Sequence, residues 1–318
     1  MNKILILGGT GFVGRHLCEK LAAQPCRATV VTRRRASAKH LQMLPMVDVV
    51  EVAGLDHTTL TALLAEHDCV VNLIAILHGD EAAFDKVHVQ LPQTLVQACK
   101  AAGQRRIVHI SSLGASLQAP SMYQRSKARG EAVLFESGLD VSVLRPSVIF
   151  GAEDKFLNTF ATLQQLFPVI PLAGSHARFQ PVWVEDVAAA LLKCLQDNST
   201  IGQIYEACGP DVFTLKELVQ LAGRYSGVNN GEGRPVISLP DVLGRLQARL
   251  MELAPGEPIM SRDNLDAMKS DNVASGMLPG LTALDITPSA LAAIAPSYLG
   301  AKGLRSGLMA KRKTAGRF

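Results

Sequence analysis

The residues most able to do chemistry are a tyrosine and a lysine in the segment "SMYQRSKARGE", residues 121–131. Side chains four positions apart share one face of a helix, so Tyr123 and Lys127 would lie side by side. An ammonium group next to a phenol stabilises the phenolate, which suits the tyrosine to general acid and base catalysis. Such pairs also arise by chance, so the spacing by itself leaves an ordinary surface pair as an alternative.

Two serines precede that tyrosine at the end of a predicted strand. The segment "RIVHISSLGAS", residues 106–116, places Ser111 and Ser112 at the carboxyl edge of the strand. A serine hydroxyl can both donate and accept a hydrogen bond. Ser111 and Ser112 are therefore candidates for contact with a ligand at this edge.

These side chains need a scaffold, and the hydrophobic pattern indicates which one. Short β-branched or aliphatic runs alternate with helix-length amphipathic segments, and the runs predict strands at residues 3–7, 28–32, 47–52, 69–75, 106–111 and 141–146. Continuous apolar strands separated by helices are typical of a parallel sheet covered on both faces. We predict an α/β fold with a Rossmann-type doubly wound parallel sheet, which binds ligands at the carboxyl ends of its strands.

The chain is less regular after about residue 150. Helices are predicted over residues 183–196 and 214–226, the second begun by a capping box of Thr214 and Glu217. We expect a dinucleotide-binding domain over residues 1–150, interleaved with a smaller, irregular α/β substrate region over residues 151–300 that covers the cleft. Residues 301–318 are expected to form a basic, disordered tail.

A glycine motif follows the first predicted strand. The segment "KILILGGTGFVGRHL" has Gly8, Gly11 and Gly14 at G-x-x-G-x-x-G spacing, between a strand and a helix. Glycines permit a tight turn and a close backbone approach, and the helix N-terminus offers N–H groups to a pyrophosphate. The motif predicts dinucleotide binding, with a structural turn as the alternative.

The end of the second strand bears on which dinucleotide binds. NAD sites usually have an acidic residue there for the ribose hydroxyls, but this strand ends "VVTRRR". Thr32, Arg33 and Arg34 stand where the adenosine ribose should lie, and guanidinium groups suit a 2′-phosphate. NADP(H) is therefore the predicted cofactor, with NAD(H) and a solvated arginine loop as alternatives.

Composition excludes several other classes. Among 318 residues, 48% are hydrophobic, yet the longest apolar runs fall short of the roughly 20 residues that span a bilayer. No signal peptide is recognisable, so we expect a cytoplasmic protein. With only 5% aromatic residues, a nucleic-acid surface is not predicted. The six cysteines are scattered, which favours buried thiols and predicts no metal.

The net charge of +4 comes largely from residues 32–40 and from the tail over residues 302–318. Three interpretations of the tail stay open. It could be a solubilising end, a weak contact with anionic lipid at the inner face of the membrane, or a docking peptide for a partner such as a respiratory complex.

The ordered set of glycine turn, serine after strand five and Y-x-x-x-K resembles the short-chain dehydrogenase/reductase superfamily. The segments "LRPSVIFGAEDKFLNTF", "FQPVWVEDVA", "YEACGPDVFTLKEL" and "MLPGLTALDITP" narrow the resemblance. They are similar to the atypical subgroup that contains the NADPH-binding accessory subunit of mitochondrial respiratory complex I and its bacterial epimerase/dehydratase-like relatives. The likeness runs from Gly8 to about Pro296.

The resemblance implies roles for individual residues. Tyr123 would be the general acid/base, Lys127 would lower its pKa and bind the nicotinamide ribose, and Ser112 would position the substrate oxygen. The implied cofactor contacts are Gly8, Thr10, Gly11, Phe12, Val13 and Gly14 at the pyrophosphate, Arg33 at the 2′-phosphate, Leu73, Ile74 and Ala75 on the adenine side, and Pro146 and Ser147 beside the nicotinamide. Ser111 is a further predicted cofactor contact. Relatives often place an Asp after strand three for the adenine amine; here Ala53 stands there and Asp56 is the substitute candidate.

Two functions follow from these observations. The first is an NADP(H)-dependent oxidoreductase or epimerase/dehydratase that acts on a small carbonyl or hydroxyl compound. The second is a nucleotide-binding accessory or assembly protein connected with respiratory complex I or ubiquinone metabolism, because the subgroup's complex I subunit holds its nucleotide as a structural element.

Overall fold

The computed structural model describes residues 2–253, 256 and 258–300. The basic tail predicted over residues 301–318 lies outside them. The described chain forms two compact units. The first comprises the residues up to Ser147 together with Val184–Cys208 and Ala274–Thr287, and the second comprises Val148–Trp183, Gly209–Val273 and the described residues from Pro288.

The strands, numbered along the chain, are β1 (Lys3–Leu7), β2 (Arg27–Thr32), β3 (Val47–Glu51), β4 (Cys69–Asn72), β5 (Arg106–Ile110), β6 (Asp140–Pro146), β7 (Ile149–Phe150), β8 (Ile170–Leu172), β9 (Arg178–Phe179), β10 (Val182–Trp183), β11 (Ile204–Ala207), β12 (Phe213–Thr214) and β13 (Val236–Ser238). The α-helices are α1 (Phe12–Leu21), α2 (His57–Leu64), α3 (Glu81–Asp85), α4 (Leu91–Ala101), α5 (Met122–Phe135), α6 (Leu157–Leu166), α7 (Val184–Gln196), α8 (Leu215–Tyr225), α9 (Asp241–Glu252), α10 (Arg262–Ala267) and α11 (Leu291–Leu299). Shorter turns are a π-helical turn at Lys86–Gln90 and 3-10 turns at Arg35–Ala38, Asn198–Thr200, Val228–Gly231 and Leu281–Leu284.

The first unit is built on a parallel sheet of seven strands in the order β11-β6-β5-β4-β1-β2-β3. This confirms the predicted doubly wound fold. The strand order reverses between β1 and β4, and in such sheets ligands bind at the carboxyl ends of the strands beside this point. The glycine turn after β1 and the loop after β4 both lie at this edge.

The sheet differs from the prediction in two places. Strand β4 was predicted to reach residue 75 but ends at Asn72, where the side-chain oxygen accepts the N–H of Ile74 over 3.2 Å and turns the chain away. The seventh strand, β11, was not predicted from its short sequence "IYEA". It joins the sheet by pairing with β6, from Ile204 opposite Val143 to Ala207 opposite Pro146.

The core of the first unit consists of apolar side chains from the strands and from the helices that flank them. Leu5, Leu7, Val70, Ile107 and Val143 are fully buried. All six cysteines are buried thiols outside disulfide bonds, as predicted. Burial raises the pKa of several of them to about 12, so these thiols stay protonated and serve as packing groups.

The second unit has its own core, from α6, α8, α11 and three short strand pairs. Helix α8 begins with the predicted capping box: Thr214 Oγ1 accepts the Glu217 N–H, and the Thr214 N–H donates to the Glu217 carboxylate. Asp154 has a structural role too. Its Oδ1 accepts the backbone N–H of Leu157 over 2.6 Å at the start of α6, and Tyr298 donates to its Oδ2 over 3.0 Å.

Within the described ranges, every helix is too short or too polar to cross a bilayer.

Candidate functional site

The glycine motif forms a turn that only glycine can make. Gly8 has φ +84°, and its carbonyl oxygen accepts the Gly11 N–H over 3.1 Å. A Cβ on Gly14 would lie 2.5 Å from Gly9 Cα, so the first turn of α1 packs directly on the loop. Gly11 caps α1 without a side chain, which leaves the first N–H groups of the helix able to bind an anion. This cradle fits a dinucleotide pyrophosphate.

The other predicted pyrophosphate residues lie in the same turn. Thr10, Phe12 and Val13 are half-buried at the start of α1. The Phe12 ring packs edge-on against His16, with ring centroids 5.7 Å apart. The structure therefore brings all six predicted pyrophosphate residues, 8 and 10–14, into one loop and helix terminus.

The loop after β4 lies against the glycine turn. A Cβ on Gly8 would be 3.1 Å from the backbone carbon of Leu73 and 3.2 Å from the nitrogen of Ile74. Leu73 and Ile74 are half-buried, whereas Ala75 is exposed. This close approach joins the residues predicted on the adenine side to the pyrophosphate turn.

The arginines after β2 are exposed, and an acidic residue lies close to them. Thr32 is buried, and its hydroxyl donates to the Arg34 carbonyl oxygen and accepts the Arg34 N–H. The side chains of Arg33 and Arg34 are exposed and form no ion pair inside the described ranges. Glu51, opposite Thr32 on β3, accepts the Arg35 N–H over 2.8 Å. The sequence pattern missed this carboxylate because it belongs to a neighbouring strand. Asp56, the candidate adenine contact, caps α2 by accepting the Thr59 N–H.

Helix α5 brings the tyrosine and lysine to the end of β5. Ser121 caps the helix by accepting the Gln124 N–H, which fixes where the helix begins and places Tyr123 in its first turn. Lys127 is only 1% exposed, and its Nζ donates to the carbonyl oxygen of Ile110 over 2.8 Å. Burial lowers the pKa of Lys127 to about 8, against an opposing effect of the Glu131 carboxylate.

The two serines at the end of β5 have buried hydroxyls. Ser111 and Ser112 are buried, and neither Oγ has a hydrogen-bond partner of ordinary geometry in the part of the chain that is described. Burial raises the pKa of Tyr123 to about 12, and the nearby Ser112 hydroxyl holds it down slightly. Because a buried hydroxyl without a partner costs free energy, both serines fit a bound ligand that would accept from them.

The end of β6 lies beside the segment that contains Ser111 and Ser112. The Ser111 N–H donates to Leu144 over 2.7 Å and the Leu113 N–H donates to Pro146 over 2.9 Å, so the serine segment follows the last residues of β6. Ser147 is buried, and its N–H donates to Ala207. Pro146 and Ser147 are thus placed beside the serines, as their predicted nicotinamide contacts require.

An ion pair lies behind the lysine. Arg145 on β6 donates to the Glu131 carboxylate on α5, with Nε 2.9 Å from Oε1. Glu131 is almost fully buried and lies one turn beyond Lys127. The carboxylate therefore adds a negative charge near a buried ammonium, which partly offsets the cost of burying that ammonium.

Three buried polar residues near the site were not predicted as functional: Asn72, His88 and His109. Asn72 Nδ2 lies 3.2 Å from His109 Nδ1, and burial lowers the pKa of His109 well below its usual value. His88 contacts the Tyr123 ring with centroids 5.5 Å apart. No local pattern marks His88, because its partners come from other parts of the chain.

A further charged cluster lies on α1 and α7. His16 Nδ1 is 2.6 Å from Glu185 Oε1, and Lys20 Nζ is 2.8 Å from Glu185 Oε2. Glu19 is close enough for these groups to resemble a metal site. Since Lys20 already neutralises Glu185, the cluster is an ion-pair network between two helices.

Comparison with known proteins agrees with this arrangement. Residues 4–208 match the NAD dependent epimerase/dehydratase family. Subunit 9 of the NADH dehydrogenase [ubiquinone] 1 alpha subcomplex is 29% identical in Arabidopsis thaliana (90% of this chain, 74% of the relative) and 30% identical in Mus musculus (90% and 76%). The Escherichia coli NADPH-dependent quinone oxidoreductase QOR2, solved with NADPH, has the same fold with a TM-score of 0.74, 21% identity, and coverage of 93% of this chain and 99% of that one. The chain belongs to the NAD dependent epimerase/dehydratase family and has its NAD(P)-binding Rossmann fold of the short-chain dehydrogenase/reductase type.

Proposed function

We propose that this protein is an NADP(H)-dependent oxidoreductase that acts on a small carbonyl or hydroxyl compound, with epimerase or dehydratase chemistry as a variant of the same hydride step. The observation that carries the proposal is the arrangement of Ser112, Tyr123 and Lys127. A buried serine hydroxyl, a phenol beside it and a buried ammonium lie at the carboxyl edge of the sheet, near a pyrophosphate cradle.

The residues would hold the cofactor along this edge. The turn at Gly8–Gly14 would bind the pyrophosphate, the loop at Leu73 and Ile74 would cover the adenine side, and Pro146 with Ser147 would contact the nicotinamide. When bound, the dinucleotide supplies or accepts a hydride.

Ser112 would donate its hydroxyl hydrogen to the substrate carbonyl oxygen and orient it. Tyr123 would give its phenolic proton to that oxygen in reduction and take the proton back in oxidation. Because burial raises its pKa to about 12, the phenol is protonated at neutral pH and can donate that proton in reduction. Lys127 would stabilise the phenolate left after proton transfer through its positive charge.

The preference for NADP(H) is a separate part of the proposal. Arg33 and Arg34 are exposed beside the predicted ribose position, where planar guanidinium groups could bind a 2′-phosphate in two-point fashion. Glu51 supports NAD(H) as the alternative, since a carboxylate at this edge could accept from ribose hydroxyls.

Turnover can be tested with NADPH and a panel of aldehydes, ketones and short-chain quinones, with the absorbance of the reduced nicotinamide as the signal. We expect one class to be reduced, and Tyr123→Phe to lose at least about 100-fold in rate with unchanged NADPH affinity. Tyr225→Phe, a tyrosine of the second unit, is the matched control. If Tyr123→Phe kept the full rate, the acid/base assignment would be wrong.

A second candidate function is a nucleotide-binding accessory or assembly protein of a respiratory complex. The similarity to alpha subcomplex subunits supports it, and so does an apolar face on helix α9. The face consists of Val242, Leu243, Leu246, Leu250 and Leu253, which are between 52% and 79% exposed. Exposed aliphatic rows of this kind are typical of interaction sites.

Tightly held NADPH without turnover on any panel compound would favour this second function. We would then expect the protein to comigrate with NADH dehydrogenase on native gels, and Leu246→Glu with Leu250→Glu to abolish comigration. The exposed pair Met43→Glu with Met46→Glu is the control. Comigration that the α9 changes leave unaffected would show that this face does not bind the complex.

The location proposed for the protein is the cytoplasm, with weak binding of the tail over residues 302–318 to the anionic inner face of the membrane. The tail has six basic residues and no acidic one. Each basic residue near an anionic leaflet contributes roughly 1 kcal/mol, so binding should weaken with salt. Cosedimentation with anionic and neutral vesicles would test this, and equal binding to both would contradict it.

A further inference from the structure

His88 lies in the π-helical turn at Lys86–Gln90 and is 3% exposed. Its Nε2 accepts the backbone N–H of Ile76 over 3.2 Å. With Nε2 accepting, the ring proton belongs on Nδ1, which lies 2.8 Å from Ser126 Oγ and donates to it. π-Helical turns are rare and occur often at functional sites. Both nitrogens of this buried ring are thus engaged by protein groups.

The hydrogen bonds continue from the histidine to the tyrosine. Ser126 Oγ accepts from His88 and donates to the backbone carbonyl oxygen of Tyr123 over 2.7 Å. The chain of donors therefore runs from the Ile76 N–H through His88 and Ser126 to the first turn of α5. Burial lowers the pKa of His88 to about 3, so the imidazole is neutral and keeps this donor pattern at neutral pH.

The rings add a second contact to the same tyrosine. Phe84 stacks on His88 with centroids 5.6 Å apart and an angle of 26°. The Tyr123 ring packs edge-on against both, 5.9 Å from Phe84 and 5.5 Å from His88. These aromatic contacts limit how far the phenol can tilt.

The backbone of the histidine is held as well. A Cβ on Gly130 would lie 2.0 Å from the His88 carbonyl oxygen, so α5 and the π-helical turn touch through their main chains. His88 cannot shift without moving the helix that carries Tyr123 and Lys127.

We propose that His88 is a positioning residue for Tyr123, which connects the loop after β4 to the phenol. Ile76 belongs to the loop whose residues Leu73 and Ile74 lie against Gly8 in the pyrophosphate turn. A dinucleotide that orders this loop is expected to order Tyr123 through His88 and Ser126. The inference rests on the proposed function of Tyr123, but His88 acts through the tyrosine and not on a substrate.

Two substitutions separate the two hydrogen bonds. His88→Asn keeps a donor near the place of Nδ1, toward Ser126, whereas His88→Gln keeps an acceptor near the place of Nε2, toward Ile76. The phenol can be observed with tyrosine labelled with carbon-13 at Cζ, because the chain has only four tyrosines and Tyr123→Phe identifies the signal. NADPH is the probe ligand.

In the wild type, NADPH should shift and sharpen the Tyr123 signal. His88→Gln should lose most of that response while its Kd for NADPH changes by less than about threefold, which is below 1 kcal/mol. His88→Asn, which loses the acceptor for the Ile76 N–H, should weaken the response as well. A wild-type response in His88→Gln would overturn the proposal.

Ser126→Ala gives an independent test if the histidine variants fold poorly, since it removes the middle of the chain and leaves the rings in place. It should lose the NADPH response as His88→Gln does, and a full response would overturn the proposal.

Failure of the proposed function would look different: no panel compound would be turned over, yet the Tyr123 signal would still depend on His88. Where turnover is found, His88→Gln should lower kcat with little change in KM.

Discussion

Lys127 donates a hydrogen bond to the carbonyl oxygen of Ile110 over 2.8 Å, from helix α5 to the last residue of strand β5. Ser111 and Ser112 follow Ile110 directly, so this bond fixes the serine pair relative to the helix that carries Tyr123. The same ammonium is buried beside the Glu131–Arg145 ion pair. The site is thus organised around a buried positive charge.

Replacing that charge should stabilise the protein while removing its function. Without a dinucleotide, Lys127→Met is expected to raise the free energy of unfolding at pH 7 by about 1–2 kcal/mol. The lowered pKa of Lys127, from 10.5 to about 8, means that burying its charge costs about 3 kcal/mol at 1.36 kcal/mol per unit. The variant avoids this cost but loses the hydrogen bond of Lys127, which is worth about 1 kcal/mol. Urea unfolding measures the difference.

The sign of the pH dependence follows from the same pKa. Between pH 8 and 10.5 the unfolded chain holds a proton on this lysine that the native protein has released, so wild-type stability gains with rising pH. The variant lacks this gain, and the two stabilities should converge by pH 10. Lys100→Met, on an exposed lysine of α4, is the control. A variant less stable than wild type at pH 7 would contradict the argument.

The glycine cradle can be tested with one added methyl group. Gly14→Ala would place a Cβ 2.5 Å from Gly9 Cα and push the glycine turn away from α1. The affinity for NADPH should therefore fall at least about 100-fold, which corresponds to close to 3 kcal/mol. Gly54→Ala is a matched control, because a Cβ there meets nothing within 4 Å. Fluorescence titration with NADPH measures both variants. Equal affinities would mean that the cradle does not bind the pyrophosphate.

Cofactor preference should depend on the two exposed arginines. Arg33→Ser with Arg34→Ser removes charge-assisted hydrogen bonds of about 1.5–3 kcal/mol, so the Kd for NADPH should rise about 10- to 100-fold. The Kd for NADH should change little, since that cofactor has no 2′-phosphate. Arg35→Ser is the neighbouring control. A parallel loss for both cofactors would indicate a general charge effect and not recognition of the phosphate.

The ionisation of His88 should contribute to the loss of stability in acid. Its pKa is lowered to about 3, so between pH 6.5 and 3 the unfolded chain binds a proton that the native protein does not, and stability is lost as pH falls. His88→Asn lacks this ionisation. Between pH 7 and pH 4 the free energy of unfolding of His88→Asn should therefore fall by about 2–3 kcal/mol less than that of the wild type, at 1.36 kcal/mol per pKa unit. Urea unfolding at several pH values measures this, and parallel curves would count against it.

Much of the fold could be predicted because its signals are local. Apolar runs of strand length marked β1 to β6, glycine spacing marked the turn after β1, and the i, i+4 relation of Tyr123 and Lys127 follows from helix geometry alone. Residues at the carboxyl ends of parallel strands gather at one edge, so Ser112 and Ser147 could be assigned to the same site from sequence.

Contacts between distant parts of the chain could not be predicted in this way. The carboxylate of Glu51 comes beside Thr32 only through the register of β2 and β3, and Ile204–Ala207 becomes a strand only by pairing with β6. The bond from His88 to Ser126 joins residues 38 positions apart. The sequence by itself determined which groups could do chemistry and on which elements they lie. Only the tertiary structure decided their burial and partners, because pKa values and ring orientations depend on packing that no local pattern contains.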